Sequence, residues 1–448
     1  MHSKQMGDIL GVKVSIDAAL QGFEVDSRNI QKGYVFFALK GKKVDGHDFI
    51  REAAARGAIC AFVSEDYLEK IESIELIRVK DVLGCLHKLA AWKMSQNKSK
   101  CIAVTGSVGK TTTKEFLATL LEGSFKVQKT PGNANSQTGF PLSILNAQEK
   151  GEVFIAEMGM SAFGEIKALV EIAPPDFVIV TKIALAHAAF FPNGLEDIAL
   201  AKSEILSHPR TKKAFINAQA RQFKAFQGIT RPSCVFYGLA EDPSIRREDA
   251  KLLKNDRNFS IQREDELLVS NLTLPFEASH FCENFLGVAL VAKELGMDFK
   301  EIEQRAQKLT SYSMRFERVE KEGVVYINDA YNANAESMKA ALCNLPIPAP
   351  KGKVIAALGE MRELGRFSEE AHREIGREAA RAVDLLLCLA GDTSYMAEEF
   401  SSSGKPFYYF SDIQELKKRL LLETKKGDVV LIKASKSLKM WTLLEDDD

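Results

Sequence analysis

Short apolar runs alternate with helical patterns along most of this chain. In the first segment, up to Asn97, YVFFALKG and AICAFVS read as strands and the Ala-rich stretch DFIREAAARGA as a helix. A second helical pattern, DVLGCLHKLAAWKMSQ, leads into the polar run NKSK, a first boundary. From Lys100 a buried strand, CIAVT, enters a glycine turn and then a helix, TTKEFLATLLEG. The runs VFIAEMG, FVIVT and KAFIN follow, with helical patterns between them. Strands separated by helices of this kind predict a parallel sheet with crossover helices. From about Pro232 to Glu277 the pattern becomes polar and strand-like, and it ends in the helical ENFLGVALVAKELG. From about Ser313 a new α/β set begins: VVYIND, KVIAALG, VDLLLCLAG and DVVLIKAS. The acidic tail EDDD is expected to fray.

Composition narrows the class. A chain of 448 residues is too long for one core. Its 46% hydrophobic and 27% charged residues are the balance of a soluble globular protein. A net charge of -1 argues against a nucleic-acid binder. No run approaches the roughly 18 apolar residues of a membrane span, and the amino terminus lacks a secretory pattern. Seven cysteines stand singly with no CxxC pair, which predicts a reducing, cytoplasmic compartment without disulfides or a zinc site.

The sharpest chemical signal is Thr105-Gly106-Ser107-Val108-Gly109-Lys110-Thr111-Thr112, between a buried strand and a helix. Glycines let the backbone curl around a phosphate, a lysine reaches the terminal phosphates, and a hydroxyl serves Mg²⁺. The first glycine stands at Gly106, not at Val104 as in the usual spacing, so this is a shortened GxxGK[ST] loop. Glu157 closes an apolar strand, where a carboxylate either ligates Mg²⁺ or faces solvent. His187, a few residues past FVIVT, reads as a structural histidine or a ligand. Ile198, Lys202, Ile205 and Leu206 share one helical face. A lysine in such a stripe must snorkel, pair or be modified.

These motifs, in their order, resemble the Mur ligases: TGSVGKTTTKEFLATLL, GNANSQTGFPLSIL, IAEMGMSAFGEI, then LAH and AKSEI. The resemblance covers nearly the whole chain. It implies an α/β, three-domain Mur ligase architecture: a UDP-substrate domain over residues 1–97, a central P-loop parallel-sheet domain over 98–312, and a carboxyl-terminal Rossmann-like α/β domain over 313–448. It also implies ATP and two Mg²⁺ ions. The metal ligands would be Thr111, Glu157, His187 and Lys202, the last carbamylated by CO₂. In DSRNIQKGYVFFALKGKKVDGHDF, Ser27, Arg28, Asp45, His47 and Asp48 match the UDP-sugar site. Asn284, four residues after His280, matches a residue near adenine; Arg315 one that reaches the phosphates; Asp329 an acid near the ribose.

The branch is read from Asp329-Ala330-Tyr331-Asn332-Ala333-Asn334, with Ser337-Met338, LGEMRELGRFSEEAHREIG and Lys433-Ala434-Ser435-Lys436 in support. These resemble the branch that joins D-alanyl-D-alanine to UDP-N-acetylmuramoyl-tripeptide, with Tyr331, Asn332, Asn334, Ser435 and Lys436 at the acceptor. The alternative is a relative that adds a single amino acid, whose DNPR run is absent here. The expected enzyme is a cytoplasmic monomer engaging no nucleic acid and no membrane. This chain departs from the family pattern at Lys182 (asparagine in a TNI run), Met314 (glycine), Ala335 (proline), Ala434-Ser435-Lys436 (Gly-Ser-Arg) and Trp441 (glutamate). Lysine grips a carboxylate as a point charge where arginine offers a fork.

Overall fold

Strands form where the sequence is continuously apolar, because helices or neighbouring strands cover both faces of a parallel sheet. The computed structural model describes residues 1–41, 43–147, 151–255 and 258–445. Of the acidic tail expected to fray, residues 446–448 lie outside the described residues. The chain divides into two compact units, described in turn.

The first unit comprises Met1–Ala103, Glu122–Val178 and Glu204–Lys212. Strands β1 (Gly22–Glu24), β2 (Tyr34–Phe37), β3 (Cys60–Ser64) and β4 (Glu75–Val79) make a four-stranded, all-parallel sheet in sequence order. Phe37 stacks on Phe62 with ring centroids 4.8 Å apart. The Ala-rich stretch is helical only over Ile50–Ala55, because Gly46–Phe49 forms a 3-10 turn capped by Asp45 and Gly57 turns left-handed at φ 102°. The helix Val82–Ser95 is capped by Asp81. The polar run after it is a tight connection: Ser99 is buried and its hydroxyl donates to Asn97 Oδ1 at 2.8 Å. Strand β5 (Lys100–Thr105) carries the chain onward. Strands β6 (Val127–Lys129) and β7 (Val153–Glu157) pair in parallel, and β8 (Phe177–Val180) follows the helix Glu165–Ile172.

The second unit comprises Val104–Leu121, Ile179–Ser203 and Lys213–Asp448. Its helix Lys110–Leu121 packs on the helix Ser279–Glu294, where Phe116 meets Phe276 and Phe281. Strands β9 (Lys213–Asn217), β10 (Ser233–Leu239) and β11 (Ala250–Asn255) run parallel. The polar stretch read as strand-like supplies β12 (Asn258–Arg263) and β13 (Glu266–Leu272), which pair antiparallel at one edge. The helix carrying Lys202 spans Leu195–Ser203; residues Glu204–Leu206 tighten into a 3-10 turn, so the predicted stripe is helical only as far as Lys202.

The carboxyl-terminal α/β set forms a six-stranded sheet from β14 (Glu317–Lys321), β15 (Val324–Asn328), β16 (Val354–Gly359), β17 (Leu385–Leu389), β18 (Phe407–Phe410) and β19 (Val429–Lys433). The order is β14-β15-β19-β16-β17-β18, with only β14 antiparallel to its neighbour. Strand β19 returns to lie between β15 and β16, which creates a switch point. Loops leaving the carboxyl ends of strands at such a point line a crevice. Here those loops are Asp329–Asn334, Gly359–Phe367 and Ala434–Lys436.

All seven cysteines are unpaired. Burial pushes the thiols of Cys60, Cys101, Cys282 and Cys388 up to about 12, so they pack as small apolar groups. Among the described residues no helix is long and apolar enough to cross a membrane. A buried ion pair ties the turn after β9 to the start of β11: Arg221 grips Asp249 through two bonds, 2.7 and 3.0 Å, and lies over the Phe236 ring. Asp249 is 2% exposed. Replacing Arg221 with methionine leaves that carboxylate buried with a single backbone donor, from Arg246. The expected loss is about 3 kcal/mol of stability, read from the urea midpoint.

Candidate nucleotide and acceptor site

The phosphate loop is built by what its glycines lack. Gly106 has φ +149°, and a Cβ there would come within 1.8 Å of Thr181 Oγ1. Gly109 has φ +87°, and a Cβ would meet the Asn284 side-chain amide at 2.6 Å. Thr181 holds the loop's outline: its hydroxyl donates to Val108 O at 2.6 Å and its backbone N–H to Thr105 O at 2.8 Å. Ser107 N–H donates to Lys182 O at 2.8 Å, and the Ser107 hydroxyl to Ala184 O at 2.7 Å. Thr111 and Thr112 are buried in the first turn of the helix that follows.

Two lysines converge on this loop. Lys110 Nζ donates to Gly106 O at 2.8 Å, and Lys202 Nζ donates to the same oxygen at 2.9 Å. Lys202 is 2% exposed. Burial, and then the charge of Lys110, push its amine well below the usual lysine range, which favours the neutral form. A neutral amine is the form that condenses with CO₂, and the carbamate so formed is an anion. Magnesium fits these residues on that condition: a bare amine beside Lys110 would not hold a dication, whereas a carbamate would.

His187 has a left-handed backbone, φ 59°, and its Nδ1 faces the Glu363 carboxylate. The carboxylate can only accept, so the ring carries its proton on Nδ1 and a lone pair on Nε2. Burial lowers the His187 pKa, against the raising effect of the Glu363 carboxylate. In the first unit, Glu157 closes β7 as a buried carboxylate; its Oε1 accepts from Asn135 Nδ2 at 2.7 Å. Among the described residues no three His, Cys, Asp or Glu side chains cluster as a metal site.

A cleft in the second unit is lined by Ser107–Gly109 and Thr112, by His280, Phe281 and Asn284, by Arg315 and Phe316, and by Asp329, Asn332–Asn334 and Lys433. The sequence-predicted nucleotide residues therefore meet the acceptor run in one place. Arg315 reaches Thr111: its Nη2 donates to the Thr111 hydroxyl at 3.1 Å while its guanidinium stacks on Tyr331 at 3.8 Å. Lys436 Nζ lies 5.0 Å from the same ring. His280 packs half-buried against Phe281 and Phe316, and desolvation drops its pKa to about 4. Its Nδ1 makes no hydrogen bond among the described residues.

Several expected residues also make hydrogen bonds within the protein. Asp329 is tied within the protein: Oδ1 accepts Phe316 N–H at 3.1 Å and Oδ2 binds Lys433 Nζ at 2.6 Å. Asn334 caps the helix Ala335–Cys343 in a capping box with Ser337, so its side-chain oxygen is committed to Ser337 N–H. Ser435 is buried, with its hydroxyl accepting Arg362 N–H at 2.8 Å. Around the predicted UDP site, Ser27 donates to Glu52 Oε2 at 2.8 Å and Arg28 pairs with Asp26. His47 Nε2 accepts from Ser64 N–H at 3.0 Å, so its Nδ1 donates to Asp45 at 2.6 Å; Asp48 is exposed in the same turn. Both turns pack on the helix Ile50–Ala55.

Three residues were given no individual role by the sequence. Lys433 is 1% exposed and also donates to Asn332 O at 3.0 Å, so it clamps both ends of the acceptor turn. A lysine closing the apolar run VVLIK was the available signal, the same kind that drew attention to Lys202. Glu363 lies within LGEMRELGRFSEEAHREIG, but no local pattern pointed to His187 as its partner. Nothing in the sequence marked Glu336, whose carboxylate pairs with Lys182 at 2.6 Å.

Comparisons with known proteins follow the same outline. Residues 20–92 match the Mur ligase family, catalytic domain; residues 104–292 the Mur ligase middle domain; residues 314–436 the Mur ligase, glutamate ligase domain. The UDP-N-acetylmuramoyl-tripeptide--D-alanyl-D-alanine ligase of Rickettsia prowazekii is 30% identical, over 98% of each chain. The MurF ligase of Thermotoga maritima in complex with ADP superposes with a TM-score of 0.78 at 30% identity, covering 98% of this chain and 97% of that one. MurF from Acinetobacter baumannii gives 0.83 at 25% identity, covering 99% and 97%. A glycine-built phosphate loop faced by Arg315 and the Tyr331–Asn334 turn, with matches along the whole chain, makes this protein a member of the Mur ligase family, ATP-dependent ligases of three-domain α/β fold.

Proposed function

We propose that this chain joins D-alanyl-D-alanine to UDP-N-acetylmuramoyl-tripeptide, with ATP converted to ADP and phosphate. The observation that carries this reading is the bridge by Arg315, which touches Thr111 of the phosphate loop and Tyr331 of the acceptor turn at once. Its relatives of the same length, named for this reaction, support it.

The chemistry follows from the poor reactivity of a carboxylate in water. The tripeptide's terminal carboxylate attacks the γ-phosphorus of ATP; the bond to the β-phosphate oxygen breaks, leaving ADP and an acyl phosphate. The amine of D-alanyl-D-alanine then attacks the acyl carbon, loses its proton, and phosphate departs. Anionic oxygens crowd together in the first step. Lys110 and Arg315 offset that charge by position and electrostatics. Magnesium, held by Thr111, Glu157, His187 and a carbamylated Lys202, would add Lewis-acid neutralisation there. His280 and Asn284 line the adenine end of the cleft, and Lys433 holds Asp329 and the acceptor turn in shape. Lys436 and Ser435 border the acceptor, and Tyr331 presents its ring between two cations. Ser27, Arg28, Asp45, His47 and Asp48 form the UDP-sugar end.

We place the domain bounds at 97/98 and 312/313. The enzyme works in the cytoplasm, as a monomer.

The reading is tested by phosphate release with UDP-muramoyl peptides carrying diaminopimelate or lysine and a panel of acceptors. D-Alanyl-D-alanine should stimulate release far more than L-lysine, diaminopimelate or D-glutamate; preference for a single amino acid would assign the chain to another branch. Lys110→Ala should lower turnover by about 10²-fold or more, as expected when charge stabilisation in the transition state is lost. Calorimetry should show its UDP-peptide affinity unchanged, and near-normal turnover would remove the loop from the mechanism. Lys202→Ala should be similarly impaired, and formate or acetate should restore part of its activity by supplying an anion near the vacated amine. Lys202→Arg keeps a cation there and should resist rescue; equal rescue of both variants would defeat the carbamate assignment.

A further inference from the structure

The loop Met361–Phe367, between β16 and the helix Ser368–Ala382, docks on the segment His187–Gly194. Ala189 N–H donates to Glu363 O at 2.9 Å, and the Arg366 guanidinium donates to Pro192 O. Phe367 lies so close to Gly194 that a Cβ there would come within 2.9 Å of its ring. At the centre of this contact the Glu363 carboxylate accepts from His187 Nδ1. Both residues are non-glycine and left-handed, with φ values of 63° and 59°. Backbone of this kind persists only where its surroundings over-determine it, and it gathers at functional sites.

Docking alone does not call for the Glu363 side chain. The backbone bond to Ala189 and the Arg366 contact already hold the loop. The carboxylate is also half exposed, where an ion pair adds little to stability. What the carboxylate does determine is the imidazole: it selects the tautomer and fixes the plane of the ring. We propose that Glu363 is a positioning residue for the reaction, holding His187 so that Nε2 points to magnesium and completing the metal site when the loop is docked. This rests on the reading of His187 as a metal ligand. It adds to that ligand a carboxylate partner from the third segment, which orients the imidazole.

The test uses the full chain with ADP and Mn²⁺ as the probe, with free Mn²⁺ counted by electron paramagnetic resonance. Glu363→Ala should weaken Mn²⁺ binding about tenfold or more, the usual effect of removing a carboxylate behind a ligating histidine. Glu363→Gln should recover part of that loss, because its amide oxygen still accepts from Nδ1. Arg366→Ala loosens the same loop without touching the ring and should leave the affinity near that of the unmodified protein. His187→Ala should bind Mn²⁺ weakly, and adding Glu363→Ala to it should change nothing more. Unchanged affinity in Glu363→Ala, beside a weakened His187→Ala, would overturn the positioning role and leave the metal reading standing. A loss in Arg366→Ala as large as that in Glu363→Ala would also overturn it, by making docking rather than the carboxylate responsible. Normal Mn²⁺ binding in His187→Ala would overturn both readings.

Discussion

The carbonyl oxygen of Gly106 accepts from two lysine amines, and much of the site is arranged around that arrangement. Two full ammonium charges sharing one acceptor repel, which favours the neutral form of the more buried amine. Lys202, the more deeply buried, is the one that yields. The oxygen is available to both only because Gly106 takes a backbone angle that side chains avoid and because Thr181 fills the space a Cβ would need.

Around this centre the carboxyl-terminal sheet does the assembling. Its return strand β19 opens a switch point, and the loops after β15, β16 and β19 collect at one end. Lys433, buried at the end of β19, spends its hydrogen bonds on Asp329 and Asn332, which gives the acceptor turn its shape. Arg315 then lies between that turn and Thr111. Removing a buried amine of this kind would leave carbonyl and carboxylate oxygens without a donor, which is costlier than a surface contact of equal length.

The positions where this chain departs from its family's pattern are accommodated by identifiable means. Met314 keeps a left-handed backbone, φ 55°, where a glycine would sit without strain. Lys182 keeps its carbonyl under the phosphate loop and turns its amine to Glu336, at the start of the helix that Asn334 caps. Lys436 rests over Tyr331, opposite the demand for a planar fork that an arginine would meet. The structure offers no particular account of Trp441.

Sequence alone determined the α/β class, the glycine-built strand–loop–helix turn at Gly106–Gly109 and the isolation of the cysteines. Each depends on local properties: apolar continuity, glycine where the backbone must curl, and residue type within a few positions. Lys202 was legible as an anomaly for the same reason, since helical spacing puts it beside Ile198 whatever the rest of the chain does. The shortening of the Ala-rich helix to Ile50–Ala55 was set by a capped turn that composition does not announce. Only the tertiary structure decided that Asp329 is tied to Lys433, that Asn334 is a cap, and that Glu363 faces His187 across 176 positions of sequence. Those pairings arise from strand order and loop docking, which bring together side chains with no shared periodicity, so no local pattern in the sequence could have carried them.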